Sequence, residues 1–433
     1  MNKLFKSMVL TLAMIFMAGG VWANSIDDHV KVAPGNKGDV LIFPFYAAID
    51  GGWETKFTVI NTDKVYSTVA KVVVRSPIYS EELLDFFIYL SPTDVWTGTL
   101  KFDAQLGAML ESDDDSIVSR LDGAGKPVWG DEEVARRALV VPSGAFDFNE
   151  MGYAYVINVA SFLEGSPPVD KNDIYYAYQD VLDDGTLGNN LPQNVLSGWM
   201  DFQVAGFGLT SALNAVTLRD YQNREVAVIA EETFIGADAQ NTLMEVEAAL
   251  SKNDIAIPYL NTGDDVSLHF LTFPTKYSVT DEDGFIDGVR SPFAGFDSLK
   301  DYCVRYQLNL YDTTEDSLAP VDPIWSPAPP AEFNDLCLEL NWLVSDASPF
   351  DEGWIRYSFN YSTTGSNFAG EEMSYTGAPI IPVGLNLGMS GMSLKYGAWT
   401  DGEVSSTAWD GAGFPVEGYQ YADFEPLFID SVK

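Results

Sequence analysis

The residues with the clearest chemical meaning are carboxylates spaced two apart around a glycine. In Asp281-Glu282-Asp283-Gly284-Phe285-Ile286-Asp287-Gly288, the side chains of Asp281, Asp283 and Asp287 flank a sharp turn. The middle of a calcium loop looks like this, because a hard cation gathers at least about six oxygen ligands around such a turn. Laid on the EF-hand pattern, the first ligand position falls on Val279 and the last on Arg290, which are not oxygen ligands of that kind. A Ca2+ site and a solvated acidic turn therefore stand as competing readings. The run Asp113-Asp114-Asp115 carries less meaning, since blocks of like charge are usually just hydrated.

Nucleophilic and metal chemistry find little else to use. The chain has two histidines and two cysteines. His269 lies between Leu268 and Phe270 in an alternating stretch, which reads as a strand histidine and not as a base. His29 falls in a polar leader and needs no role. Neither a Gly-x-Ser-x-Gly elbow nor a phosphate-cradling glycine motif occurs. Cys303 and Cys337, an even count in a chain expected to be exported, read as one disulfide. Two thiols and two imidazoles do not make a convincing zinc or haem site. Glycosidase chemistry needs only two carboxylates at the right separation. With 63 acidic residues, such a pair carries no information by itself. A sugar cleft would also want aromatics, and Trp53, Trp96, Trp129 and Trp199 equally suit a core.

The elements that would position these groups are short strands. Val40 to Tyr46 reads as a first strand, with Pro44 marking an edge or a bulge. Trp53–Ile60, Thr68–Arg75, Leu83–Leu90 and Val95–Phe102 follow, with turns such as Asp50-Gly51-Gly52 between them. That spacing predicts a sandwich. A short helix is expected around Glu132–Arg137, a strand over Tyr153–Val159, and a long surface connection over 164–196. Thr242–Lys252 has the apolar spacing of a helix, with Leu243, Val246, Ala249 and Leu250 on one stripe. Strands return at Ile255–Leu260, Ser267–Phe273, Cys303–Tyr311, Leu336–Leu343, Trp354–Tyr361 and Ile380–Leu387. The expected fold is all-β and mainly antiparallel, with two immunoglobulin-like β-sandwich regions and one inserted helix. The expected division is a signal peptide over 1–23, a flexible arm over 24–35, an N-terminal sandwich over 36–165 and a β-rich region over 166–433.

Composition sets the compartment and excludes several partners. Lys3 and Lys6, the apolar run Met8–Ala18 and the small residues before Asn24 predict an export signal cleaved after Ala23. That run is shorter than the ~20 residues of a spanning helix, and no other stretch approaches that length. The formal charge of −39 argues against nucleic acid and against anionic membrane surfaces, which need clustered cations. Disorder is excluded, because 46% of residues are hydrophobic and 13% aromatic. An outer-membrane barrel is disfavoured by the non-aromatic end Ile429-Asp430-Ser431-Val432-Lys433 and by the lack of sustained alternation over ~10 residues.

Several strings together resemble a family of exported or cell-surface proteins of Gram-negative bacteria. They are Phe43-Pro44-Phe45-Tyr46, Val59-Ile60-Asn61-Thr62, Leu84-Asp85-Phe86 and Ser91-Pro92-Thr93-Asp94-Val95-Trp96-Thr97. Thr272-Phe273-Pro274-Thr275-Lys276, Ile257-Pro258-Tyr259 and Tyr311-Asp312 belong to the same set. Members of that family carry more cysteines after the Ser91–Thr97 string, where this chain has none. The resemblance implies location and architecture and transfers no catalytic residue. The expected function is that of a non-enzymatic surface or extracellular protein, in binding, adhesion or assembly, with the periplasm as another location. Its partners would be surface proteins or glycans. The alternatives are a carbohydrate-binding protein and a carboxylate-based glycoside hydrolase. An exposed row of aromatics would favour sugar binding; facing carboxylates ~5 or ~6.5–9.5 Å apart would favour hydrolysis.

Overall fold

The computed structural model describes residues 29–78, 81–130, 136–140, 148–163, 170–221, 239–263, 265–276, 292–293, 303–314, 317–318, 335–345, 350–366, 372–388, 391–402 and 404–406. The chain is mostly antiparallel β. A first six-stranded sheet is built on Val40–Ala47, Met151–Leu163, Tyr66–Arg75 and Glu82–Leu90, with Val216–Arg219 and Lys31–Val32 along one side. A second takes Trp53–Asn61, Val95–Asp103, Gly107–Glu111, Arg136–Ala138, Leu196–Val204 and Leu209–Asn214. The two face each other across one core. Leu41, Phe43, Phe45, Val72 and Val156 meet Phe57, Val59, Trp96, Met200 and Phe202. Phe43 and Phe57 lie 4.6 Å apart at their ring centroids.

The other face of the first sheet is buried too. Helix α1 (Lys171–Asp184) and helix α2 (Ala239–Leu250) cover Val40, Ile42, Val73, Tyr153 and Tyr155. Burial on both faces explains why Val40–Ala47 reads as an unbroken apolar run and not as an alternation. Of the edge or bulge that Pro44 marks, the structure shows the bulge, in a strand that is paired on both sides as far as Ile42. Phe43 pairs with Ala154 and Tyr46 with Gly152, leaving Pro44 and Phe45 opposite Tyr153 alone. Pairing to the neighbouring strand ends at Ile42, so no ladder donor is needed at the proline.

Three local expectations need correction. The connection over 164–196 contains α1, whose Ile174, Tyr178 and Val181 form one buried stripe. Asp170 accepts from the Asn172 amide at its start, and Gly185 closes it with a positive φ of 67°. Among the described residues α1 is thus a second α-helix beside the inserted one expected over Thr242–Lys252. Arg136–Ala138 is a strand paired to Met109–Glu111, not the end of a helix. From His29 onward the leader is folded down: Val30 is 2% exposed and its amide donates to Glu245 of α2 at 3.1 Å. Leu196–Asn214 pairs into the second sheet through Trp53–Asn61, so the first pair of sheets draws strands from both sides of residue 165.

A third sheet holds Ser251–Leu260, Glu352–Ser358, Gln307–Asp312, Ser317–Leu318, Ala378–Pro379 and Ala398–Asp401. A fourth holds Val266–Thr272, Leu340–Val344, Ile381–Gly388 and Gly391–Tyr396. The fourth packs Leu271 and Leu343 against Ile255, Ile257 and Tyr357 of the third. Gly384 permits this approach, because a Cβ there would lie 2.7 Å from Ile257 Cγ2. Its opposite face joins the first core, where Phe270 stacks on Phe45 at 4.2 Å and 6°.

Cys303 and Cys337 are disulfide-bonded, as expected, at the ends of the paired strands Val304–Arg305 and Asp335–Leu336. The bridge closes a separation of 34 residues. Replacing both cysteines with alanine should cost about 3–4 kcal/mol in the chain-entropy model. Urea unfolding of the variant reads this, and a loss under ~1 kcal/mol would mean other contacts already hold the loop.

Candidate functional site

The outer face of the third sheet combines exposure, aromatic rings and hydrogen-bonding groups. Period-2 alternation sends Leu308, Leu310, Ile355, Tyr357, Ile255, Ile257 and Tyr259 inward, where all are buried. The remaining positions face out, and the strand registers arrange them in three rows. Gln307 pairs with Ser358, Ser358 with Asp254, and Asp254 with Thr400. Asn309 pairs with Arg356, Arg356 with Ala256, and Ala256 with Ala398. Tyr311 pairs with Trp354, and Trp354 with Pro258.

Each row has its own chemistry. The Tyr311 and Trp354 rings are stacked, with centroids 5.1 Å apart and planes 8° from parallel; both are half-buried. With exposed Pro258 they make an apolar strip ~10 Å wide across three strands. In the next rows, Arg356 donates through Nε and Nη2 to Asp254 Oδ1 at 3.0 and 2.9 Å. Ser358 Oγ donates to the same oxygen at 2.6 Å. Thr400 Oγ1 approaches Asp254 Oδ2 at 3.5 Å. Arg356 and Asp254 are 46% and 27% exposed, so the pair is open to ligand. The hydrogen bonds that Asp254 accepts, with a smaller contribution from the Tyr311 phenol, hold the guanidinium above its ordinary pKa.

Hydrolysis does not fit this face. Among the described residues its outward carboxylates are Asp254 and Glu352, which lie opposite and six residues along from Ser358 on neighbouring strands. That places them ~20 Å apart, beyond the separations of either glycosidase mechanism.

A second aromatic group is structural. Tyr89, Trp129 and Tyr175 meet edge-on or tilted, with Tyr89 to Trp129 at 5.4 Å and Tyr89 to Tyr175 at 5.7 Å. They fill the margin between the first sheet and α1, and Trp129 Nε1 donates to Asn172.

The sequence-derived candidates fall elsewhere. Asp281, Asp283 and Asp287 lie outside the described residues. Among the described residues no group of three or more His, Cys, Asp or Glu is placed to hold a metal. Asp114 accepts from the Ser116 and Thr97 amides, and Asp115 pairs with Lys171, so the acidic run is a set of loop acceptors. His269 is fully buried, with Nδ1 2.8 Å from the Tyr357 hydroxyl. Burial pushes its pKa down to about 3, against a smaller opposing effect of the Pro258 carbonyl. His29 stands 3.5 Å from buried Glu245. The four tryptophans are not brought together: Trp96 is in the core, Trp53 packs on Phe202, Trp129 lies by α1, and Trp199 bonds to Asp201 on the second sheet. What the sequence reading missed was an aromatic at polar parity in two strands, Gln307-Leu-Asn-Leu-Tyr311 and Trp354-Ile-Arg-Tyr-Ser358.

A scan against protein-family models and searches of the curated proteins and of the solved structures returned no match. Among the described residues no helix is long and apolar enough to cross a membrane.

Proposed function

We propose that the chain is a non-enzymatic exported protein of the cell surface or extracellular space that binds carbohydrate on the outer face of its third sheet. The fold would then be two immunoglobulin-like sandwiches serving as a rigid scaffold. Kinship with the exported Gram-negative family that the strings resemble fits this reading. The observation that carries it is the parallel Tyr311–Trp354 pair beside the Asp254–Arg356–Ser358 cluster. An aromatic ring offers apolar area to the C–H face of a sugar, and a few convergent polar groups fix its hydroxyls. Adhesion to a glycan-coated surface follows directly from such a face.

Calorimetric titration of the purified protein with soluble glycans tests the reading. Trp354→Ala should weaken the interaction roughly thirtyfold, the effect of losing a hot-spot ring worth about 2 kcal/mol. An unchanged affinity in this variant would remove the face from consideration.

A further inference from the structure

We infer that the ligand of this face is an uncharged glycan, not a uronic-acid or sulfated one; the inference rests on the carbohydrate-binding reading above. The first argument is charge. Arg356 is the cation of the three rows, and its guanidinium is matched by Asp254 through two hydrogen bonds to one carboxylate oxygen. Glu352, at the far end of the same strand, adds a negative charge with no cation paired to it among the described residues. The face is therefore neutral to slightly acidic, on a chain of formal charge −39. An anionic polymer would approach against that field and find the cation already paired.

The second argument is hydrogen-bond type. A sugar hydroxyl both donates and accepts, and the Asp254–Arg356 pair offers both at one place. Two of the five guanidinium N–H groups are spent on Asp254 and the Tyr311 phenol engages the same group, which leaves donors over for a ligand. Among the described residues Asp254 Oδ2 has only the long Thr400 contact. Around the pair stand Gln307, Asn309 and Ser358, neutral groups with donor and acceptor capacity. A carboxylate or sulfate ligand only accepts, so it would gain from Arg356 and lose against Asp254. Position supports the same ligand. Arg356 lies two residues along the strand from Trp354, ~7 Å away, so a sugar on the apolar strip places its neighbour's hydroxyls over the pair.

The test uses the full folded chain and glycans sharing a backbone but differing in charge: hydroxyethyl cellulose against carboxymethyl cellulose, and dextran against dextran sulfate, with galactomannan and polygalacturonate as further members. Affinity electrophoresis and calorimetry should find binding to at least one neutral member. That binding should change less than twofold between 50 and 500 mM sodium chloride and fall at least tenfold in Trp354→Ala. Tyr311→Ala provides a second variant on the same strip, with circular dichroism as the check on folding. Asp254→Asn releases the Arg356 charge and should confer new, salt-sensitive binding to carboxymethyl cellulose or dextran sulfate. If the native protein instead binds the anionic members, and Trp354→Ala abolishes this, the neutral-ligand inference is wrong while the carbohydrate-binding reading survives. If no member binds, or binding ignores both ring variants, the two readings fall together.

Discussion

Replacing Lys276 with methionine is expected to cost roughly 3–5 kcal/mol of folding stability, the usual result of stripping a buried charge of its partner. Lys276 and Glu339 are each about 1% exposed, with Nζ 3.6 Å from Oε1. Neither carboxylate oxygen of Glu339 has a hydrogen bond among the described residues. The lysine spends its own on the Cys337 carbonyl, beside the disulfide. Attraction to Lys276 is thus what keeps a charged Glu339 tolerable, and methionine would leave it buried and alone. The pair also sits where separate segments converge. The Glu339 amide donates to the carbonyl of Pro77, just past the Tyr66–Arg75 strand of the first sheet, at 3.0 Å, and its carbonyl accepts from Phe273 at 2.7 Å. The double variant Lys276→Met, Glu339→Leu removes both charges and should recover most of the loss, because apolar replacement of a whole buried pair is often near neutral. Urea unfolding of the four proteins gives the coupling directly. A single-variant cost below ~1 kcal/mol would mean that Glu339 reaches water once its partner is gone.

What could be read from the sequence follows the range of the interactions involved. Strand positions such as Val40–Ala47 and Trp53–Asn61 were legible because their apolar patterns are local. Helix α1 was hidden by its own ends. Pro167-Pro168 before it and Asp183-Asp184-Gly185 at its close are turn signals, yet Asp170 and Gly185 are caps, and the stripe Ile174, Tyr178, Val181 lay between them. The division at residue 165 depended on pairing that no local pattern encodes. Leu196–Val204 finds Trp53–Asn61, a strand more than a hundred residues earlier. The candidate face is of the same kind. Tyr311 and Trp354 were each visible at strand ends, but only the register Tyr311↔Trp354 makes them a pair. A one-residue slip of either strand would turn its ring inward and part the two. The string Thr272–Lys276, notable in the sequence, turns out to be a joint: Thr272 donates to the Pro44 carbonyl, and Lys276 enters the buried ion pair.

Stability is expected to fall as pH drops below 6.5, with His269 as a principal cause. In the folded chain this ring is fully buried against the Tyr357 hydroxyl, and desolvation holds its pKa down to about 3. Tyr357 titrates far above its ordinary value because it is buried as well, so it stays a neutral phenol and offers no charge to an imidazolium. In the unfolded chain the ring titrates at its ordinary 6.5. Below that pH the unfolded state gains a proton that the folded state refuses, and the equilibrium shifts toward unfolding. Above 6.5 both states are neutral and the contribution is constant. Each pH unit below it removes about 1.4 kcal/mol, hence about 2 kcal/mol by pH 5 and about 4 kcal/mol by pH 3, where the folded ring begins to protonate too. Carboxylates titrate over the lower part of this range, so the decisive window is pH 6.5 to 5. His269→Gln keeps a hydrogen-bonding group near Tyr357 and cannot take up the proton. The difference in unfolding free energy between the two proteins should then change by about 2 kcal/mol across that window, the native chain losing ground toward acid. His29, the other histidine, is common to both and cancels. Parallel pH profiles for the two proteins would mean that His269 is protonated to the same extent folded and unfolded, which a ring sealed between the third and fourth sheets does not allow.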